Sequence, residues 1–168
     1  ELNEMGRLRA LDERDNVLIG LMLRENTAPD ALIAHAWAGA APYFSERPAV
    51  DILGKMEPRI ARRASAPDDP QTAHNKYDPE YIFGERRPDV VVSALSGRVV
   101  SDRDYFDSVR AGHAYPGLFR TLDHPVFWSD YAPNVVPLEL SMRFHGVFVR
   151  EGTALARPPQ DWREPAGP

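Results

Sequence analysis

The sequence contains no cysteine, which excludes a disulfide framework, a thiolate nucleophile and a zinc–thiolate site. That absence says little about compartment, because many exported proteins also lack cysteine. No apolar run approaches the roughly 18–20 residues that cross a bilayer, and none has the make-up of a signal peptide. The chain opens on Glu1 rather than Met, which reads as a processed or excised piece, so the missing membrane segment describes the piece. Glycine-rich phosphate loops are absent, since neither G-x-G-x-x-G nor G-x-x-x-x-G-K-[ST] occurs. There is no H-E-x-x-H or H-x-x-x-H pairing, and neither Ser45 nor Ser93 sits in a G-x-S-x-G elbow. No metal and no cofactor are expected. Positive charge is not in excess either: a net charge of −5 and a pI near 5.5 argue against a nucleic-acid partner.

What is present is an ordinary globular composition, 43% hydrophobic and 27% charged over 168 residues, with sixteen prolines that cut the elements short. Leu8, Leu11, Leu18, Leu21 and Met22 recur at helical spacing, predicting a helix from Glu4 to Arg24 with an interruption near Asp12 to Asp15. Pro29 and its polar neighbours end it. Ala31 to His35 or Ala36 reads as an interior strand, followed by the small-residue turn Ala38 to Ala41. Val50 to Leu53 is a second strand and Pro58 to Arg63 a short helix. Asp78-Pro79-Glu80 opens a helix that runs to Arg86, and Val90 to Leu95 is the clearest strand. Ser101 to Asp104 fits a capping box for a helix to Ala111. Helical turns follow at Gly117–Leu122 and Pro125–Tyr131, and strands at Val135–Leu140 and Phe144–Arg150. The fold class is α/β, a small two- or three-layer arrangement with a mainly parallel sheet, a late antiparallel edge pair and helices packed on it. Residues 1–155 form the single domain, and 156–168 read as a Pro-rich, disordered tail.

Three features carry candidate chemistry. The small-residue turn after the first strand serves either close helix–sheet packing or a ligand pocket at the strand's C-terminal end. Arg59, Arg62 and Arg63 share a helix face, which is either solvated or an anion site for phosphate or an acidic sugar. His74-Asn75-Lys76-Tyr77-Asp78 offers donors, acceptors, a cation, a carboxylate and an aromatic face, the chemistry of sugar recognition. It equally suits a loop that ties down its own backbone. Asp51, Glu57 and Asp78 could supply carboxylates for glycoside chemistry. The candidate substrate-binding residues are Tyr43, Asp51, Lys55, Arg59, Arg62, His74, Asn75, Lys76, Tyr77 and Asp78, with no catalytic residue among them.

The motif series L-R-E-N-T-x-P-D-A, A-G-A-x-P-Y-[FY]-S, V-D-I-L-G, P-x-I-A, H-N-K-Y-D and R-P-D-V-V spans Leu21 to Leu95. It resembles the soluble C-terminal region of bacterial multi-pass membrane glycosyltransferases of the GT-C type, the mannosyl- and arabinofuranosyltransferase-like members. Asp51, Gly54, Pro58, His74, Asn75, Lys76, Tyr77 and Asp78 match the recurring pattern, while Ala73 stands where it often has Gly. The resemblance implies a domain on the extracytoplasmic face of the bacterial cytoplasmic membrane, following the transmembrane region of the same polypeptide. It implies a polyprenyl-phosphate sugar as donor and a glycan, lipid or protein as acceptor. The catalytic acid would lie in a loop outside this chain. The domain would then be an accessory that binds or orients acceptor or donor. The alternatives are a free-standing small hydrolase using an Asp/His pair, and a structural domain that contacts partners through Phe119 to Tyr131.

Overall fold

The computed structural model describes residues 2–66, 74–93, 103–110, 116–137 and 144–163. The apolar run after the first helix becomes β1 (Ile33–His35), flanked by β2 (Ala49–Asp51) and β3 (Val90–Val92), both parallel to it. β5 (Phe144–Arg150) adds antiparallel to β3, and β4 (Tyr131–Pro137) pairs antiparallel with β5 at the edge. The five strands stand in the order β2-β1-β3-β5-β4, an α/β sheet with the antiparallel pair expected at its end.

Three-residue strands make few ladder bonds, so the fold rests on what covers the two faces. Alternation sends Ala34, Val50, Val91 and Phe148 to one face, and Ile33, Val90, Val92, Val147 and Val149 to the other. The first face is covered by α3 (Pro58–Ala61), α4 (Glu80–Arg86, wound as a π-helix), α5 (Arg103–Arg110), α6 (Pro116–Leu122) and α7 (Pro125–Asp130). Ile60, Ile82, Phe83, Phe106, Phe119 and Phe127 are their buried contributions. The second face carries α1 (Leu2–Asn26) and α2 (Ala40–Ser45), through Ile19, Met22, Leu23 and Ala41. The crossover from β1 to β2 uses α2, and the return past β1 to β3 uses α3 and α4. Two right-handed crossovers in opposite directions require helices on opposite faces, as found. The helices that follow β1 and β2 therefore lie on opposite faces, and the C-terminal ends of those strands are where an open α/β sheet leaves a crevice. No helix among the described residues is long and apolar enough to cross a membrane.

Several details depart from the sequence expectations for physical reasons. α1 runs unbroken through Asp12 to Asp15, and its C-terminal part lies against α2 as well as the second sheet face. Gly20 permits that approach: a Cβ there would meet the Ala41 carbonyl at 2.7 Å and Phe44 Cβ at 2.9 Å. The loop residue Arg47 closes the helix's C-terminal end. Its guanidinium donates to the carbonyls of Arg24 and of Thr27 (2.9 Å) and to Thr27 Oγ1 (3.2 Å), serving acceptors that no helical N–H can reach. β4 begins at Tyr131 rather than Val135, with Pro133 and Pro137 inside it. An edge strand tolerates prolines because one side of it needs no donors.

The supposed tail is packed at least to Arg163. Ala156 N–H donates to Asn26 O at 2.9 Å, and Leu155 bridges to Thr27. Pro159–Asp161 form a 3₁₀ turn that places Trp162 in the core of the second face, 1% exposed, its indole N–H on Arg157 O at 2.9 Å. The prolines dominated the compositional reading, whereas one tryptophan supplies the apolar area that holds the segment. Ala64 to Thr72 falls outside the described residues from 67 onward, as does Ala73. So do Ala94, Leu95, Ser101, the 111–115 loop, residues 138–140, residues 164–168, and the side chains of Leu8 and Leu11.

Candidate functional site

The C-terminal ends of β1 and β2 and the loop before α4 form one crest. β2 ends at Asp51, which is buried and gives both carboxylate oxygens to backbone donors: Oδ1 to Leu53 N–H and Oδ2 to Met56 N–H, each 2.9 Å. The turn so held passes Gly54 at φ 75, where a Cβ would lie 2.3 Å from Ile60 Cγ2. Only glycine fits on both counts. Pro58 then opens α3, capped by Glu57. The sequence motif V-D-I-L-G…P is thus a device for projecting Lys55 and Met56 outward.

Lys55 meets the polar cluster. Its ammonium donates to His74 Nε2 at 2.8 Å and lies 5.9 Å from the centre of the Trp37 ring, while His74 packs edge-on against Trp37 at 5.5 Å. An ammonium can only donate, so Nε2 serves as the acceptor in this contact. Beside this trio, Gly39, Ala40, Pro42, Tyr43 and Met56 line an open apolar hollow of about 550 Å³. Tyr43 and Met56 are 77% and 65% exposed, the large hydrophobic side chains most open to solvent among the described residues. Trp37 precedes Gly39 by two positions and Lys55 precedes Met56, so trio and hollow adjoin.

The remaining candidates divide. Asp78 anchors an ionic network: its carboxylate takes Arg63 at 2.6 Å, Arg59 Nε at 3.6 Å and Tyr81 N–H at 3.2 Å. Its Oδ1 accepts from Tyr81 N–H in the first turn of α4, while Pro79 rather than Asp78 holds the N-cap position, one residue later than the sequence placed it. Arg59 also forks onto Glu85 at 2.5 and 2.6 Å and stacks 4.3 Å over the Tyr81 ring. Its hydrogen bond holds the Glu85 carboxyl below its ordinary range. Lys76 donates to Ala61 O at 2.5 Å and closes the end of α3. Arg62 is exposed and has no partner among the described residues. Asn75 and Tyr77 line a second hollow, where the Tyr77 hydroxyl accepts from Arg120.

Structure thus brings Lys55 and His74 together, with Tyr43 alongside, and joins Arg59 to Asp78. It separates these from Arg62. Neither Asp51 nor Asp78 pairs with a histidine among the described residues, and no three His, Asp or Glu side chains there converge as a metal site would require. Trp37 is absent from the sequence candidates, although an aromatic between a strand and a small-residue turn marks the strand's open end. Arg120 lies 43 residues beyond Tyr77, and no local pattern could have joined them.

His35 stands on β1 opposite Asp51 and Val92. It is 1% exposed with no hydrogen-bond partner for Nε2 among the described residues, and burial pulls its pKa down to about 3. It is a neutral core residue beneath the crest.

No curated protein and no solved structure matches this chain. A family model does match residues 7–143, most of its length, and the chain belongs to that family, described as a domain of unknown function, DUF8728.

Proposed function

We propose that this domain recognises a glycan at the crest formed by Trp37, Tyr43, Lys55, Met56 and His74. Its role is that of an extracytoplasmic accessory domain of a membrane glycosyltransferase, orienting the acceptor glycan or the polyprenyl-phosphate-linked donor. Catalysis is left to another part of the polypeptide. The observation that carries the proposal is the convergence of an exposed aromatic face and an apolar hollow with a Lys–His pair at the C-terminal ends of the parallel strands β1 and β2. Sugars present apolar C–H faces that lie on aromatic rings and hydroxyls that need donors and acceptors at fixed positions. Of the motif series, H-N-K-Y-D supplies His74 to this crest, while V-D-I-L-G shapes the turn that carries Lys55 and Met56. The hydrolase alternative needs a free carboxylate near an imidazole, and both Asp51 and Asp78 are engaged elsewhere.

Saturation-transfer NMR with arabinan and mannan oligosaccharides tests the proposal. Transfer from the protein to the sugar, abolished in Tyr43→Ala and Trp37→Ala while the variants stay folded, is the expected result. Absence of transfer to either oligosaccharide would sink it.

A further inference from the structure

The second hollow has a different chemistry from the crest. It encloses about 360 Å³ and is lined by Arg63, Ser65, Asn75, Tyr77 and Arg120 with two alanines. Three separate segments meet there: the strand of chain after α3, the 74–77 loop and α6. Each contributes a group that can donate to an anion: the guanidinium of Arg63, the amide of Asn75, the hydroxyl of Ser65 and the guanidinium of Arg120. The Arg120 guanidinium is oriented by the Tyr77 hydroxyl and lies 5.6 Å from the Tyr77 ring centre.

Several cationic groups stand at or beside the hollow. Asp78 is the carboxylate facing Arg63, and it is shared with Arg59 at 3.6 Å. The ammonium of Lys76 rests on the neutral Ala61 carbonyl at 2.5 Å, and Arg62 next to Arg63 has no partner among the described residues. The chain as a whole carries −5, and one of its two lysines, Lys76, stands between the lining residues Asn75 and Tyr77. A local cationic field on an acidic protein concentrates anions where low-dielectric walls focus it.

We infer that this hollow is a binding site for a phosphoryl group, of the size of a diphosphate or a phosphate monoester. Two guanidinium forks from different walls match an anion with several acceptor oxygens better than a single carboxylate. A hollow of this size admits more than one inorganic phosphate. The inference concerns residues outside the glycan crest and stands whether or not the crest takes sugar.

Inorganic pyrophosphate, titrated calorimetrically at low salt into the folded chain, is the test. Removing one charged fork removes a charge-assisted bond, so Arg120→Gln is expected to weaken binding roughly tenfold or more. Arg24→Gln, which lies on α1 and pairs with Glu46, is expected to bind as the parent does. Should Arg120→Gln fail to fold, Ser65→Asp places a carboxylate on the exposed rim and is expected to abolish binding. No binding of pyrophosphate by the parent chain overturns the inference, as does equal weakening by the Arg24 and Arg120 variants or unchanged binding in Ser65→Asp. Phosphatidylcholine vesicles with and without phosphatidic acid then separate the sources. Co-sedimentation only with phosphatidic acid assigns the group to a lipid headgroup, and pyrophosphate binding without co-sedimentation assigns it to a soluble ligand. Trp37→Ala is expected to keep its pyrophosphate binding, which separates this inference from the glycan reading.

Discussion

Because His35 is sealed beneath the crest, the protein's stability should fall in mild acid by an amount that one substitution removes. Burial lowers the pKa from 6.5 to about 3 in the fold, while the unfolded chain titrates normally. Between those values the unfolded state binds a proton that the native state refuses. Stability is therefore fully present above the unfolded value, declines as pH falls through it, and stops declining only near the folded value. Each pH unit in that window is worth about 1.4 kcal/mol, so at about pH 5 the loss is roughly 2 kcal/mol. Against a total stability of about 5–15 kcal/mol this is measurable.

His35→Leu replaces the unpartnered imidazole with an apolar side chain of similar size. At about pH 7.5 it should be neutral or slightly stabilising, since a buried polar atom without a partner is removed. Urea unfolding of both proteins at about pH 7.5 and pH 5 gives the decisive double difference. The ion pairs Arg63–Asp78, Arg59–Glu85 and Arg150–Asp89 are common to both proteins and cancel. Asp51, the carboxylate opposite His35 on β2, is held by Leu53 and Met56 N–H and is likewise common to both. The variant should lose about 2 kcal/mol less than the parent on acidification. Equal losses would mean that His35 titrates in the native state, and the account of a sealed imidazole would be wrong.

Other perturbations follow from the same contacts. Gly54→Ala combines a φ of 75 with a Cβ 2.3 Å from Ile60, and should cost roughly 2–4 kcal/mol in urea unfolding; a loss below 1 kcal/mol would mean the turn relaxes freely. Arg47→Ala leaves the terminal carbonyls of α1 without their guanidinium donor, for a loss of about 2 kcal/mol read as a lower thermal midpoint. Trp162→Ala empties a fully buried site, costing about 3–5 kcal/mol, and amide exchange of residues 155–163 should rise with it. Unchanged exchange there would show that Trp162 does not hold the segment.

The parts of the fold legible in the sequence are those whose demands are local. Val90 to Val92 declared a strand by β-branching alone, and Asp78-Pro79-Glu80 a helix start by capping chemistry. The antiparallel end pair was readable from two apolar runs, but its starting point was not. Pro133 became acceptable only once β4 was the edge strand, a fact about its neighbours. The same holds for Trp162, whose burial depends on α1 and the second sheet face, and for Arg120, which reaches Tyr77 across 43 positions.

The motif series itself separates into two kinds of residue once the contacts are known. Asp51, Gly54, Pro58 and Asp78 are accounted for by folding: a carboxylate saturated by backbone donors, a glycine that nothing else can replace, a helix opener, and a carboxylate that takes the Tyr81 N–H and gathers arginines. Their recurrence in a sequence pattern is therefore evidence for this turn geometry and carries no weight for binding. Tyr43 lines the first hollow, Asn75 and Tyr77 line the second, and Trp37, Lys55 and His74 form the trio beside the first. A substitution series should divide along that line. Alanine at Asp51 or Gly54 should lower stability, and binding should fall only as the folded population does. Alanine at the exposed Tyr43 should leave the unfolding free energy within about 0.5 kcal/mol of the parent, and alanine at Tyr43 or Asn75 should reduce ligand binding directly. If Tyr43 and Asn75 variants bound every probe as the parent does, the recurring pattern would be a folding signature throughout, and both proposed sites would be lost with it.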